Sequence, residues 1–127
     1  MILKIKFMKQ LTKAEEDIMK ILWDLGEGSA KQVRDQFSEP KPAYNTVSTI
    51  IRILEDKKFV TYYKQGRLHI YVPLVKKTEY SNHSITKLID GYFGGSFKSM
   101  VSFFVKKNDI SLAELEETLN TINSEEE

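Results

Sequence analysis

A mainly helical chain carrying one small β-hairpin is the fold class this sequence predicts, on three observations. Apolar residues recur at three- and four-residue steps through residues 14–25, 47–54 and most of 85–122, the period of one helix face. Between residues 59 and 72 the period drops to two on either side of Gly66, as two strands and a turn require. Ser or Thr followed three residues later by Glu or Gln opens several of the helical runs, a pairing that satisfies orphan amides at a helix start. A chain of 127 residues suits one ordinary domain or two very small ones.

The first ten residues, MILKIKFMKQ, look superficially like a signal start, but Lys4, Lys6 and Lys9 interrupt any apolar run. They read as an N-terminal arm, residues 1–10, with Met8 a candidate start. No stretch of about 20 apolar residues exists, so no membrane insertion is expected. The sequence has no cysteine, which removes disulfides, thiolate metal sites and a cysteine nucleophile. A cytoplasmic location is the expectation.

Thr12 and Glu15 form the first capping box, and Ala14, Ile18, Ile21, Leu22 and Leu25 then supply an inward stripe until Gly26 and Gly28 end the helix. Ser29 with Gln32 opens a shorter helix with Val33 and Phe37 turned inward; Pro40 and Pro42 are expected to close it. Residues 43–54 follow as a two-faced helix. Val47, Ile50, Ile51 and Leu54 share one side, whereas Asn45, Ser48, Thr49 and Arg52 share the other. That outer side carries amide, hydroxyl and guanidinium groups and no carboxylate, which suits an anionic partner with hydrogen-bonding edges such as a DNA major groove. Residues 59–64 and 68–72 read as strands around the turn Gln65-Gly66-Arg67, with Leu68, Ile70 and Val72 facing the core and His69 and Tyr71 facing water. Three helices and a hairpin make a winged helix-turn-helix over residues 11–77. Lys64 and Arg67 at the wing tip suit a phosphate backbone; a merely solvated tip is the alternative.

Residues 78–127 return to helix. Ile85, Leu88, Ile89 and Tyr92 make one stripe, broken at Gly94-Gly95-Ser96, and Phe97, Met100, Val101 and Phe104 make the next. Ser111 and Glu114 form another capping box ahead of Leu112, Leu115, Leu119 and Ile122, the seam spacing of paired helices. About fifty residues this apolar need a partner. Either the tail folds back on the front, or it joins a second copy; the width of its apolar faces favours a homodimer. Residues 1–80 hold 15 Lys and Arg against 10 Asp and Glu, and residues 81–127 hold 4 against 8, so the front suits a polyanion better than the rear. Neither His69 nor His83 sits in a catalytic motif, the carboxylates are scattered, and no Gly-rich phosphate cradle is present. No enzyme, metal or cofactor is expected. His69 reads as a phosphate contact or a solvated ring.

Leu11-Thr12-Lys13-Ala14-Glu15, Ile21-Leu22-Trp23, Ala43-Tyr44-Asn45-Thr46-Val47-Ser48-Thr49, Phe59-Val60, Tyr71-Val72-Pro73 and Phe93-Gly94-Gly95-Ser96 together resemble the penicillinase-repressor family, which includes the methicillin-resistance regulator and related copper-responsive repressors. The resemblance implies a homodimeric transcriptional repressor of a palindromic operator. Its third helix would enter the major groove, with Asn45, Thr46, Ser48, Thr49 and Arg52 reading bases. Tyr44, Lys41, Lys64 and Arg67 are counted among the DNA contacts. Leu88, Tyr92, Phe93, Phe97, Met100, Val101, Phe104, Leu112, Leu115 and Leu119 would carry the dimer. The best-known members have basic residues where this chain has Asn45 and Ser48, so its base preference should differ from theirs. Several members are inactivated by proteolysis in the helix matching residues 97–106. By position the bond maps near Phe103-Phe104, where the residue types differ, and a membrane-bound sensor metalloprotease would be the partner. The paired cysteines of copper-responsive members are missing, which excludes a thiolate copper switch. The rival reading is a winged helix used for protein–protein association without specific DNA binding.

Overall fold

The structure, a computed structural model, describes residues 8–107 and 109–126, with side chains described as far as Ile122. The arm expected over residues 1–10 therefore lies mostly outside the described residues, as do the side chains of the acidic end. Among the described residues, six helices and two strands follow in order: α1 (Lys13–Leu25), α2 (Ala30–Asp35), α3 (Tyr44–Asp56), β1 (Val60–Gln65), β2 (Leu68–Pro73), α4 (Lys77–Tyr92), α5 (Phe97–Lys106) and α6 (Leu112–Glu126). They divide into two compact units, and the division falls inside α4, between Ser84 and Ile85. Among the described residues no helix is long and apolar enough to cross a membrane.

In the first unit, both expected capping boxes form. Thr12 Oγ1 accepts from Glu15 N while Glu15 Oε1 accepts from Thr12 N, and Ser29 and Gln32 repeat the arrangement for α2. The buried face of α1 is Glu15, Ile18, Met19 and Leu22; Ala14 and Leu25 are exposed, and Met19 belongs to the core instead. The inward stripe is thus rotated from the expected one toward Glu15. That carboxylate can be buried because Lys57 Nζ at the end of α3 reaches it at 2.6 Å. The core then gathers Val33, Val47, Ile51, Leu54, Phe59, Val60, Tyr71, Val75 and Tyr80. Helix α2 ends before either proline, its cap residue Gln36 already donating to Val33 O at 3.1 Å. Pro40 and Pro42 shape the connection to α3, which Arg34 Nε pins by donating to Pro42 O at 2.8 Å.

The hairpin is antiparallel, in register from Val60 opposite Pro73 to Gln65 opposite Leu68. Its turn is Gly66-Arg67, tighter than expected, with Gly66 at φ +64° where a side chain would be strained. Phe59 precedes the strand and is core: it is 1% exposed, and its carbonyl accepts from Leu74 N. Gly28 bridges Tyr71 through two backbone bonds, adding a short third line beside β2. Tyr80 closes this unit from α4. Its hydroxyl accepts from Gln10 Nε2 and Leu11 N and donates to Glu16 Oε2 at 2.8 Å, while its ring packs on Phe59 and Trp23.

In the second unit, Gly94 and Gly95 take positive φ and stop α4, and Ser96 caps α5 by accepting from Ser99 N. Ser111 accepts from Glu114 N at 3.0 Å, only the first half of the expected box. Helix α6 continues to Glu126.

Candidate nucleic-acid interface

The interface is built on α3. Val47, Ile51 and Leu54 are fully buried, which fixes the helix rotation. Asn45, Thr46 and Thr49 are exposed, as an outward row requires, and Ser48 is half-buried. The helix runs two residues past the expected end. Glu55 and an exposed Asp56 therefore follow the carboxylate-free stretch. Ala43 caps the helix with no side-chain oxygen, so the first amides of α3 have no side-chain acceptor.

The polar surface of α3 is not one face but two rows. Tyr44, Ser48 and Arg52, at four-residue steps, lie on the flank toward the hairpin and line a cleft of about 250 Å³ together with Lys31, Arg67, Leu68, His69 and Tyr71. Arg52 Nη2 approaches Ser48 Oγ at 3.5 Å along this flank. Across the cleft, His69 lies flat on Tyr62 with ring centroids 4.3 Å apart, and Tyr71 packs at the edge of both rings.

The expected alternation of β2 is corrected here. Tyr71 is 6% exposed and Leu68 is 51% exposed. Tyr71 is covered because its strand face meets α3, and Gly28 pairs along its other edge; Leu68, beside the turn, projects past the core. Burial pushes the Tyr71 hydroxyl above its ordinary range, with Glu55 adding to the rise and Arg52 opposing it. It remains a neutral donor. Lys31 and Tyr71 were not legible as site residues, since nothing local marks either. Lys31 has one signal in hindsight, its place two residues beyond the Ser29 cap and outside the Val33 stripe.

The remaining predicted contacts are spread. Lys64 is exposed on β1 opposite His69, and Arg67 is exposed in the turn. Lys41 is occupied: its ammonium donates to the carbonyls of Asp35 and Phe37 and so finishes the C-terminal end of α2. Tyr63 donates to Glu27, tying β1 to the α1–α2 connection; the carboxylate beside it raises the Tyr63 hydroxyl. Among the described residues, no three His, Asp or Glu side chains gather where they could hold a metal ion.

In the second unit, Tyr92 is 81% exposed, Leu112 70% and Phe97 63%. Leu88 and Leu119 are also exposed, whereas Phe93, Met100, Val101, Phe104 and Leu115 are half-buried. A cavity of about 950 Å³ opens among Leu88, Tyr92, Phe93, Phe103 and Phe104. Phe103 touches Phe93 and Phe104 edge to face, at 5.6 and 5.5 Å, in the middle of α5.

Compared with known proteins, residues 11–124 match the pattern that defines the penicillinase repressor family. The methicillin resistance regulatory protein MecI of Staphylococcus aureus (strain N315) is 29% identical over 115 residues, which are 90% of this chain and 94% of that protein. The penicillinase repressor of Bacillus licheniformis is 24% identical over 113 residues, 88% of each. The solution structure of the DNA binding domain of the repressor BlaI shares the fold, with a TM-score of 0.51 and 24% identity over 57% of this chain and 90% of that one.

Proposed function

This chain belongs to the penicillinase repressor family, and we propose that it is a transcriptional repressor binding a palindromic operator as a homodimer. The observation that carries the reading is the outward row of α3, Asn45, Thr46 and Thr49, exposed above a fully buried row that leaves the helix no other orientation. Asn offers the bidentate pairing an adenine accepts, and Thr methyls suit thymine. Arg67 and Lys64 on the wing supply sequence-independent attraction to the backbone. The relatives named above are regulators and repressors by name, and the solved domain sharing this fold is a DNA-binding one.

The exposed aromatic and aliphatic surface of α4, α5 and α6 supports the dimer, because single soluble domains rarely leave contiguous apolar surface uncovered. Two copies related by a two-fold axis would present α3 to half-sites about 34 Å apart, or a multiple of that. On the family's pattern, induction is a cut in α5 near Phe103-Phe104 by a membrane-bound sensor metalloprotease, which would divide that apolar surface.

Binding of the full chain to duplexes enriched from a random pool tests the reading. Specific affinity should fall steeply as salt rises. Asn45→Ala should relax preference at one base pair per half-site, a loss of about 1–3 kcal/mol in discrimination, whereas Arg67→Ala should weaken all duplexes alike. No duplex binding even at low salt would leave protein–protein association as the function of this winged helix.

A further inference from the structure

The cleft between α3 and the hairpin is chemically one-sided. Four of its lining residues, Lys31, Arg52, Arg67 and His69, carry or can accept positive charge, and none of its lining residues is a carboxylate. Glu55 acts on Tyr71 electrostatically but does not line the cleft. Tyr71 is 6% exposed and lines the cleft beside those four residues. A tyrosine hydroxyl on such a lining can donate to an acceptor that enters. The stacked Tyr62–His69 pair stiffens the hairpin wall, and the fully buried row of α3 stiffens the other. The cleft is therefore a standing feature with converging donors, of a size that admits one phosphodiester group and its sugar.

We propose that this cleft seats a single backbone phosphate of bound DNA, held by Lys31, Arg52 and Arg67 with the Tyr71 hydroxyl donating as well. Arg52 then grips the backbone and reads no base, which narrows base reading to the row Asn45, Thr46 and Thr49. The assignment rests on the operator reading above and adds three things to it: Lys31 and Tyr71 as contacts, and a different role for Arg52. The geometry favours it because Arg52 shares its flank with Tyr44 and Ser48, turned toward the wing, and its nearest polar neighbour is on that flank.

The test uses the full chain and a duplex that the wild-type protein enriches from a random pool. Lys31→Ala and Arg52→Ala should each weaken binding about three- to ten-fold at moderate salt, and each should lower the slope of log affinity against log salt. The loss should be the same on the enriched duplex and on its single-base variants. Tyr71→Phe keeps the buried ring and removes a neutral donor, so affinity should fall with the salt slope unchanged. A single neutral methylphosphonate linkage, moved along each strand, should find one position per half-site where the loss of affinity is smaller in Arg52→Ala than in the wild type. Thermal melts confirm that each variant is folded. Wild-type affinity in both Lys31→Ala and Tyr71→Phe would overturn the cleft assignment, as would a change of base preference at one position in Arg52→Ala; enrichment of the duplex would still stand for the operator reading. If the wild-type chain enriches no duplex, the operator reading fails, and the cleft assignment fails with it.

Discussion

Single residues carry two duties in this chain that their neighbours in sequence do not reveal. Glu15 is a capping carboxylate by local pattern, but the structure buries it to 5% exposure and sets Lys57 against it across 42 residues of chain. Burial alone would raise its carboxyl; the bonds from Lys57 and Thr12 outweigh that and hold it below the ordinary carboxylate range. A group lowered on folding stabilises the fold above its unfolded value, and the contribution is lost as pH falls through the folded one. Glu15→Gln should therefore cost about 1–3 kcal/mol near neutral pH, and the urea midpoints of variant and wild type should converge in acid. Lys41 is the converse case. It was legible as a cation near the third helix, but its two carbonyl acceptors make it a helix-ending residue. Lys41→Ala should lower the melting temperature, at a cost of about 1 kcal/mol, and leave the salt slope of DNA binding where it was.

At the scale of elements, the sequence was legible wherever the physics is local. The caps at Thr12 and Ser29, the glycine stops and the apolar period of α3 each depend on residues within one turn of each other, and each stands as expected. Thr12→Ala and Ser29→Ala should each cost about 1 kcal/mol in denaturant unfolding, and the double variant should lose the sum because the caps share no partner. Legibility failed where an element's face is chosen by something distant. The stripe of α1 turned toward Glu15 because of Lys57, and β2 broke its alternation because Tyr71 lies between α3 and Gly28. The same limit divided the polar side of α3. Periodicity separates inside from outside, but only the hairpin's position separates an outward row from a row beside the wing. The wing itself depends on Gly66. Nothing crowds the place a side chain would take there, so Gly66→Ala should act through backbone strain alone, about 1 kcal/mol, read as a lower melting temperature.

For the whole molecule, the weight of apolar exposure lies behind Ser84. A second copy covering Tyr92, Phe97 and Leu112 would leave the chain sedimenting near twice 14.7 kDa. Tyr92→Glu with Leu112→Glu should shift it to the single-chain mass, and because both side chains are exposed in the lone chain, far-ultraviolet circular dichroism should be retained. The division inside α4 was not visible in the sequence because helical period runs through it unbroken; what places it is Tyr80, whose hydroxyl gathers partners 64 to 70 residues away. The hairpin has a consequence of another kind. β2 is flanked by β1 on one side and bridged by Gly28 at Tyr71 on the other, so β1 presents an outer edge, and Tyr62 and Tyr63 on it are exposed. An open, aromatic-rich edge invites strand-to-strand stacking between molecules, and a lysine on it is a deterrent. Lys64 thus protects the solubility of the very hairpin for which a DNA contact is proposed. A variant that neutralises it should precipitate sooner on concentration, and its lost binding should be judged only against the protein still in solution.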